Sequence, residues 1–321
     1  MTCIFCLTPG AVASIEHVIP KALGAELQTD RVCTDCNSTL GHDVDGVLVN
    51  HAVMQFKRAG HGLAGNSGAV PDMTKKLLGR KGTTVTNGLE HEIVVRADEG
   101  GIHDLYVVPK IEALYDATTG AVSLKGIMDA RDIAHLRKRV KMALEEGAVP
   151  RHLHEDILSQ VTPVAGSSQV TVSYRIPLAV GDIHRALAKI AYELAWRWLG
   201  DTYLDDPQAV ALRAFVLGQA NSAPDIAVSM DEPFIATLAG FGSPPHEHLA
   251  FLLPNRAGLQ VVVKLFDAVA AIVRITTHAH HVHAMPYRPV VRFDTSSRTH
   301  RDLTIIEFAA AFDPHAAAMA T

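Results

Sequence analysis

The chain has 321 residues, 48% of them hydrophobic and 20% charged, with a formal net charge of −5 and a pI near 6.4. That balance suits a globular protein and excludes a disordered one, and the net acidity excludes an all-over basic coat, leaving only a local basic face for nucleic acid. No apolar run is long enough for a membrane span, and Met1 to Ala13 lacks the basic start of a signal peptide, so a cytoplasmic protein without membrane association is expected.

The N-terminal stretch holds all four cysteines, as Cys3-Ile-Phe-Cys6 and Cys33-Thr-Asp-Cys36, with 26 residues between the pairs. Each C-x2-C can fold as a knuckle presenting two thiolates to one ion, and two knuckles complete the tetrahedral four-sulfur site of a structural zinc. Two redox pairs or two disulfides are the alternatives, although Met1-Thr2 leaves no room for the strand that ordinarily precedes a redox pair. A zinc would supply folding energy that so short a segment lacks. It would also make everything between the pairs a loop or hairpin held at its base. Within that loop lies SIEHVIPKALG, where Glu16 and His17 precede an apolar step and Pro20. After the second pair, VCTDCNSTLG reads as a knuckle running into a helix, with Asn37 in its first turn.

The sequence CIFC, then SIEHVIPKALG, then VCTDCNSTLGHDVD resembles the zinc-knuckle branch of the HNH endonucleases over about the first 50 residues. Each element alone is a weak signal; their order and spacing together are specific. The resemblance implies a ββα-metal nuclease core. His17 matches the general base that takes a proton from the attacking water. Glu16 matches the acidic metal ligand beside it, and Asn37 the helix residue that completes the site for a divalent ion, Mg²⁺ or Mn²⁺. Products with a 5′ phosphate and a 3′ hydroxyl are implied. The family's middle Asn, which steadies the base-bearing loop, is absent. Its place falls on Gln28 by counting back nine from Asn37, or on Asp30 by the three-before-cysteine spacing. His42, five residues beyond Asn37, is off the helical spacing for sharing its face and is a minor candidate. The chemistry agrees on its own terms: phosphodiester cleavage needs a base near neutral pH and a hard cation on oxygen ligands, apart from zinc on sulfur.

Residues 1–50 carry a net charge of −4, so this module alone would hold DNA poorly. Residues 51–90 reverse the sign with Lys57, Arg58, Lys75, Lys76, Arg80 and Lys81, and are Gly-rich; phosphate contact and a solvated face are equally supported there. A second basic cluster, Arg137-Lys138-Arg139 with Lys141, lies on a helical pattern from about Asp129 to Glu146 and reads as a solvated face.

Further on, HEIVVRA, HDLYVVPKI, SQVTVSYRIPLAV, LAFLLP and LQVVVKLF with DAVAAIVRIT read as strands, the last two as a hairpin turning at Phe266-Asp267. Asp182 is positioned to cap a helix ending near Gly200, with Ile183, Leu187, Ile190, Ala191, Leu194 and Trp198 on a buried stripe. A second helix is expected over Pro207 to Gly218. In THAHHVHAMP, His278 and His280 would share one strand face and His281 and His283 the other, but without Cys, Asp or Glu the motif reads as a polar edge. AAAFDPHAAAMAT reads as a frayed tail.

The expected fold class is α+β: a zinc-braced ββα-metal module (1–55), a basic Gly-rich connector (56–90), and a larger mixed α/β domain (91–321) for recognition, sensing or oligomerisation. The expected function is a metal-dependent DNA endonuclease or nickase, in a restriction or phage-defence setting, with RNA as the other substrate to test. Double-strand cutting by a one-site nuclease would favour a homodimer. The alternative is a zinc-dependent nucleic-acid-binding or regulatory protein whose active site has decayed.

Overall fold

The computed structural model describes residues 1–65, 67–86, 88–97, 103–164, 166, 171–173, 179–220, 225–230, 244–256, 258–278 and 288–310. Strand β1 (Ala13–His17) pairs antiparallel with β2 (Gln28–Cys33), and helix α1 (Thr34–Leu40) follows β2 without a loop. The register places Glu16 opposite Thr29 and His17 opposite Gln28, with an irregularity between Ser14 and Glu16. Pro20 ends the β1 segment, and the turn Lys21–Leu23 closes on Gly24 at φ 86°. A Cβ at Gly24 would stand 2.8 Å from the Cβ of Thr295, so this left-handed, close-packed position requires glycine. Cys33 caps α1, its sulfur accepting from the Cys36 amide. The helical path continues through a wide turn (Gly41–Asp45) into α2 (Gly46–Asn50) and α3 (Ala52–Gly60).

Two compact units divide the chain: residues 1–71 with 178–321, and residues 72–177. In the first, helices α7 (His184–Leu199) and α8 (Pro207–Val216) share a core with the zinc-knuckle module and with one face of a six-stranded antiparallel sheet. That sheet contains β8 (Ile226–Ser229), β9 (Glu247–Asn255), β10 (Gly258–Leu265), β11 (Val269–Thr276), β12 (Pro289–Asp294) and β13 (Thr299–Thr304), in the order β13-β12-β9-β10-β11-β8. The expected hairpin forms at Phe266, where Leu265 pairs with Val269. Phe308, on the helix Ile305–Ala310, closes a second cluster with Leu249, Phe251, Val262, Ala270 and Val290. The fold class is therefore α+β, with the cysteine module leading into a larger mixed region.

From Ala186 to Ala195 every residue of α7 is buried. The apolar stripe read from the sequence is there, but it is only part of a helix buried all round. Asp182 lies in a short turn (Val180–Ile183) and its side chain does not cap α7, whereas Asp206 does cap α8 through the Gln208 amide at 2.8 Å.

The second unit opens with α4 (Met73–Leu77). Its three-stranded sheet is β3 (Lys81–Thr86), β4 (Leu89–Ala97) and β5 (His103–Val107). The hairpin β6 (Lys110–Asp116) and β7 (Ala121–Ile127) packs its apolar residues with those of α5 (Leu136–Glu146) and α6 (His154–Gln160). Arg137, Lys138, Arg139 and Lys141 are exposed on α5, the solvated face expected of them. Most of SQVTVSYRIPLAV, His280, His281 and His283, and the tail from residue 311 lie outside the described residues.

Candidate active site

The two knuckles meet as their spacing requires. The sulfur atoms of Cys3, Cys6, Cys33 and Cys36 all lie within 4.8 Å of one another, and those of Cys6 and Cys33 are 3.7 Å apart. Tetrahedral Zn–S bonds of about 2.3 Å place sulfurs about 3.8 Å apart, so the cluster has the dimensions of a zinc site. Backbone amides of Phe5 and Cys33 point at the Cys3 sulfur at 3.4 Å, supporting thiolate character. Burial raises the thiols of Cys3 and Cys36, a cost that a bound dication removes. Tyr192 on α7 ties the first knuckle down, donating to the Ile4 carbonyl at 2.5 Å and packing its ring on Phe5.

Strand alternation sends the side chains of Glu16 and His17 to different surroundings. Glu16 is only 3% exposed and makes an ion pair with Lys189, which is completely buried on α7. The same ammonium contacts Asp45 at 2.9 Å, lies 3.9 Å from Glu193, and donates to the carbonyl of His17 at 2.9 Å. Burial alone would lower the Lys189 pKa, but Glu193, Asp45 and Glu16 together raise it, so the amine is charged. Burial raises the carboxyls of Glu16 and Asp45, against the pull of Lys189, and raises Glu193 well above the usual carboxylate range. Neither carboxyl oxygen of Glu193 has a hydrogen-bond partner among the described residues, and its burial favours the protonated form.

The His17 side chain is 23% exposed. Its Nε2 is 3.0 Å from the Gln28 amide nitrogen and 4.0 Å from a Glu26 oxygen; its Nδ1 has no partner among the described residues. Burial lowers the His17 pKa, with Lys21 and Lys189 adding to it and Glu26 and Asp45 opposing. The imidazole is therefore neutral at pH 7 and available as a base. Between the two positions offered for the missing Asn, Gln28 reaches the ring, while Asp30 is exposed and lines a cleft with Gln28, Trp196 and Arg197.

Asn37 donates from Nδ2 to Ser14 Oγ at 2.7 Å and to the Ile15 carbonyl at 2.8 Å. A carbonyl can only accept, so the amide orientation is fixed and Oδ1 is the atom left over. Asn37 thus ties α1 to the irregular point of β1. His42 turns away to pair with Asp43 at 2.6 Å.

Glu16, His17 and Asn37 are neighbours around β1, but the Glu16 carboxylate faces Lys189. Among the described residues the cysteines are the one group of three or more His, Cys, Asp and Glu side chains close enough to hold a metal. The donor set at His17 does not fit a divalent ion as these side chains stand. Sequence reasoning missed Lys189, Asp45 and Glu193. The available signal was a Lys and a Glu four apart inside an otherwise apolar helix, where both are almost never buried unless paired.

The six expected nucleic-acid contacts are divided between the two units and stand in different surroundings. Lys57 pairs with Asp267 at 2.5 Å, and Arg58 is buried, so neither is a free surface cation. Lys75, Lys76, Arg80 and Lys81 belong to the other unit, where Lys75 is 3.9 Å from Asp72 and Lys81 is 2.8 Å from Glu92. Lys76 and Arg80 are exposed.

A ββα hairpin-and-helix brings four thiolates together at its base and sets a histidine at the end of its first strand, the arrangement of a zinc-knuckle module. Comparison with known families agrees: residues 3–53 match the family model described as HNH endonuclease. No curated protein and no solved structure matches the chain. The match covers the N-terminal segment alone, where an HNH endonuclease-like module suggests a nuclease-type function acting on nucleic acid. Among the described residues no helix is long and apolar enough to cross a membrane.

Proposed function

We propose that the chain is an HNH-type DNA endonuclease or nickase in which His17 is the general base. The observation that carries this reading is a neutral, partly exposed imidazole whose Nε2 side is held by Gln28 and whose Nδ1 is open. The tautomer that leaves the Nδ1 lone pair for water carries its proton on Nε2, and needs the Gln28 amide turned to present Oε1, which gives up the 3.4 Å contact from Gln28 Nε2 to Glu26. Nδ1 then takes a proton from water as the oxygen attacks phosphorus. The P–O3′ bond breaks, leaving a 5′ phosphate, the 3′ oxygen takes a proton from solvent water to become the hydroxyl, and the His17 imidazolium returns its proton to solvent. Lys189 and Asn37 act as positioning residues, through the carbonyls of His17 and Ile15 respectively. The resemblance implies a Mg²⁺ or Mn²⁺ ion, but with Glu16 paired to Lys189 the side chains beside His17 do not fit one as they stand.

Supercoiled plasmid, linear duplex and RNA, each incubated with and without Mg²⁺ or Mn²⁺, test the proposal. The wild type should cut at least one of them and His17→Ala should not; equal behaviour of the two proteins rejects it. The sequestered Glu16 specifically favours a second reading, a zinc-braced nucleic-acid-binding protein without catalysis. Salt-dependent binding with no cleavage under any metal condition would establish that one.

A further inference from the structure

Close to His17 is a second feature that this nuclease reading does not use. A pocket of about 390 Å³ is lined by Lys21, Ala22, Ala64, Gly65, Gly68 and Arg298. Three separated segments build it: the turn after β1, the Gly-rich stretch after α3, and the β12–β13 turn. They are locked together at Gly24, where an added Cβ would stand 2.8 Å from Thr295 and 3.3 Å from Leu63. Gly65 lies over the buried Arg58, whose Nη2 would be 2.8 Å from a Cβ there.

The lining is cationic and its charge is largely uncommitted. Arg298 makes no hydrogen bond or ion pair among the described residues. The nearby Asp294 carboxylate is turned back onto its own turn, accepting from the amides of Ser296 and Ser297. Among the described residues Lys21 pairs with Glu26 alone, 3.8 Å away, and Glu26 offers its other oxygen to His17 at 4.0 Å. Lys21 and His17 therefore stand on opposite oxygens of one carboxylate, so the pocket adjoins the proposed base. An ammonium, a guanidinium and a glycine wall without side chains are the ingredients of a phosphate site.

We propose that Lys21 and Arg298 form a phosphate subsite that holds a backbone phosphodiester of the nucleic-acid substrate beside the one cleaved. This inference rests on the nuclease reading and names a grip that the acidic module otherwise lacks. A phosphate contact that displaces counterions makes affinity salt-dependent, each contact adding about 0.7 to 0.9 to the slope of log K against log salt.

The test uses the zinc-loaded full chain carrying His17→Ala, so that labelled single-stranded and duplex DNA oligonucleotides bind without being cut. Fluorescence anisotropy over a range of KCl gives the slope. Arg298→Ala and Lys21→Gln should each lower the slope by about one and weaken binding about 10-fold at low salt. Arg256→Ala, a change at an exposed arginine elsewhere, should leave the slope unchanged. Arg298→Gln replaces Arg298→Ala if melting or zinc content shows that the latter fails to fold. Unchanged slopes in a protein that still cuts as His17 wild type overturn the subsite and leave the nuclease reading standing. Unchanged slopes together with a melting-temperature rise in inorganic phosphate that Arg298→Ala abolishes would make the pocket a free-phosphate site, and overturn the backbone assignment. A protein that neither binds nor cuts DNA or RNA overturns both.

Discussion

His17 is set between charges of both signs, and burial tips the balance toward the neutral ring. A base must be unprotonated to act, so activity is lost as pH falls through its pKa. That pKa lies below the usual 6.5, which places the acid limb of kcat/KM below about 6.5. Glu26 holds the pKa up; Glu26→Gln should move the limb to lower pH, and a limb moving upward in a pH–rate profile would contradict the assignment. Glu193 gives a second pH prediction, read in stability. Its folded pKa is raised above the unfolded value, so its contribution is fully present below about 4.5 and is lost as pH rises through the folded pKa. Glutamine imitates the neutral acid at every pH. Urea titrations of Glu193→Gln and wild type should therefore agree at low pH and diverge in favour of the variant as pH rises.

At the scale of elements, α7 is the brace of the nuclease module. Tyr192 holds the first knuckle, and Lys189 holds Glu16, Asp45 and the His17 carbonyl. Lys189→Met would leave two carboxylates buried without their counter-ion, at a cost of about 3–5 kcal/mol in urea unfolding. Adding Glu16→Gln and Asp45→Asn should recover much of it. No recovery would show that the ammonium acts otherwise than as counter-charge. The knuckles, β1 and α1 were legible because their signals are local: C-x2-C spacing, strand alternation and a helix following a cap. The stripe on α7 was legible from its 3.6-residue period. The role of Lys189 was not, because it depends on residue 189 meeting residues 16 and 45, and no local pattern encodes that meeting. The same reason explains the cations. Residues 57–81 are basic by composition, yet Arg58 is buried, Lys57 is paired, and Arg298, distant in sequence, lines the pocket near His17.

Taken whole, the molecule has its zinc-knuckle module sharing one core with the C-terminal sheet, while residues 72–177 form a unit of their own. Stability of the module and of the sheet should therefore be linked through the metal. Removing zinc with a strong chelator should release one ion per chain and lower the melting temperature of the unit formed by residues 1–71 and 178–321; Cys33→Ser should do the same without chelator. A chain that binds no zinc, or keeps its melting temperature on losing it, would refute the zinc account. The central claim is that this module hydrolyses phosphodiesters with His17 as its base. The most direct measurement is conversion of supercoiled plasmid to nicked or linear product in the presence of Mg²⁺ or Mn²⁺, wild type beside a folded, zinc-loaded His17→Ala. Cleavage by the wild type with loss of about 10²-fold or more in the variant is the predicted result; equal rates, or no cleavage by either on DNA or RNA, would contradict it.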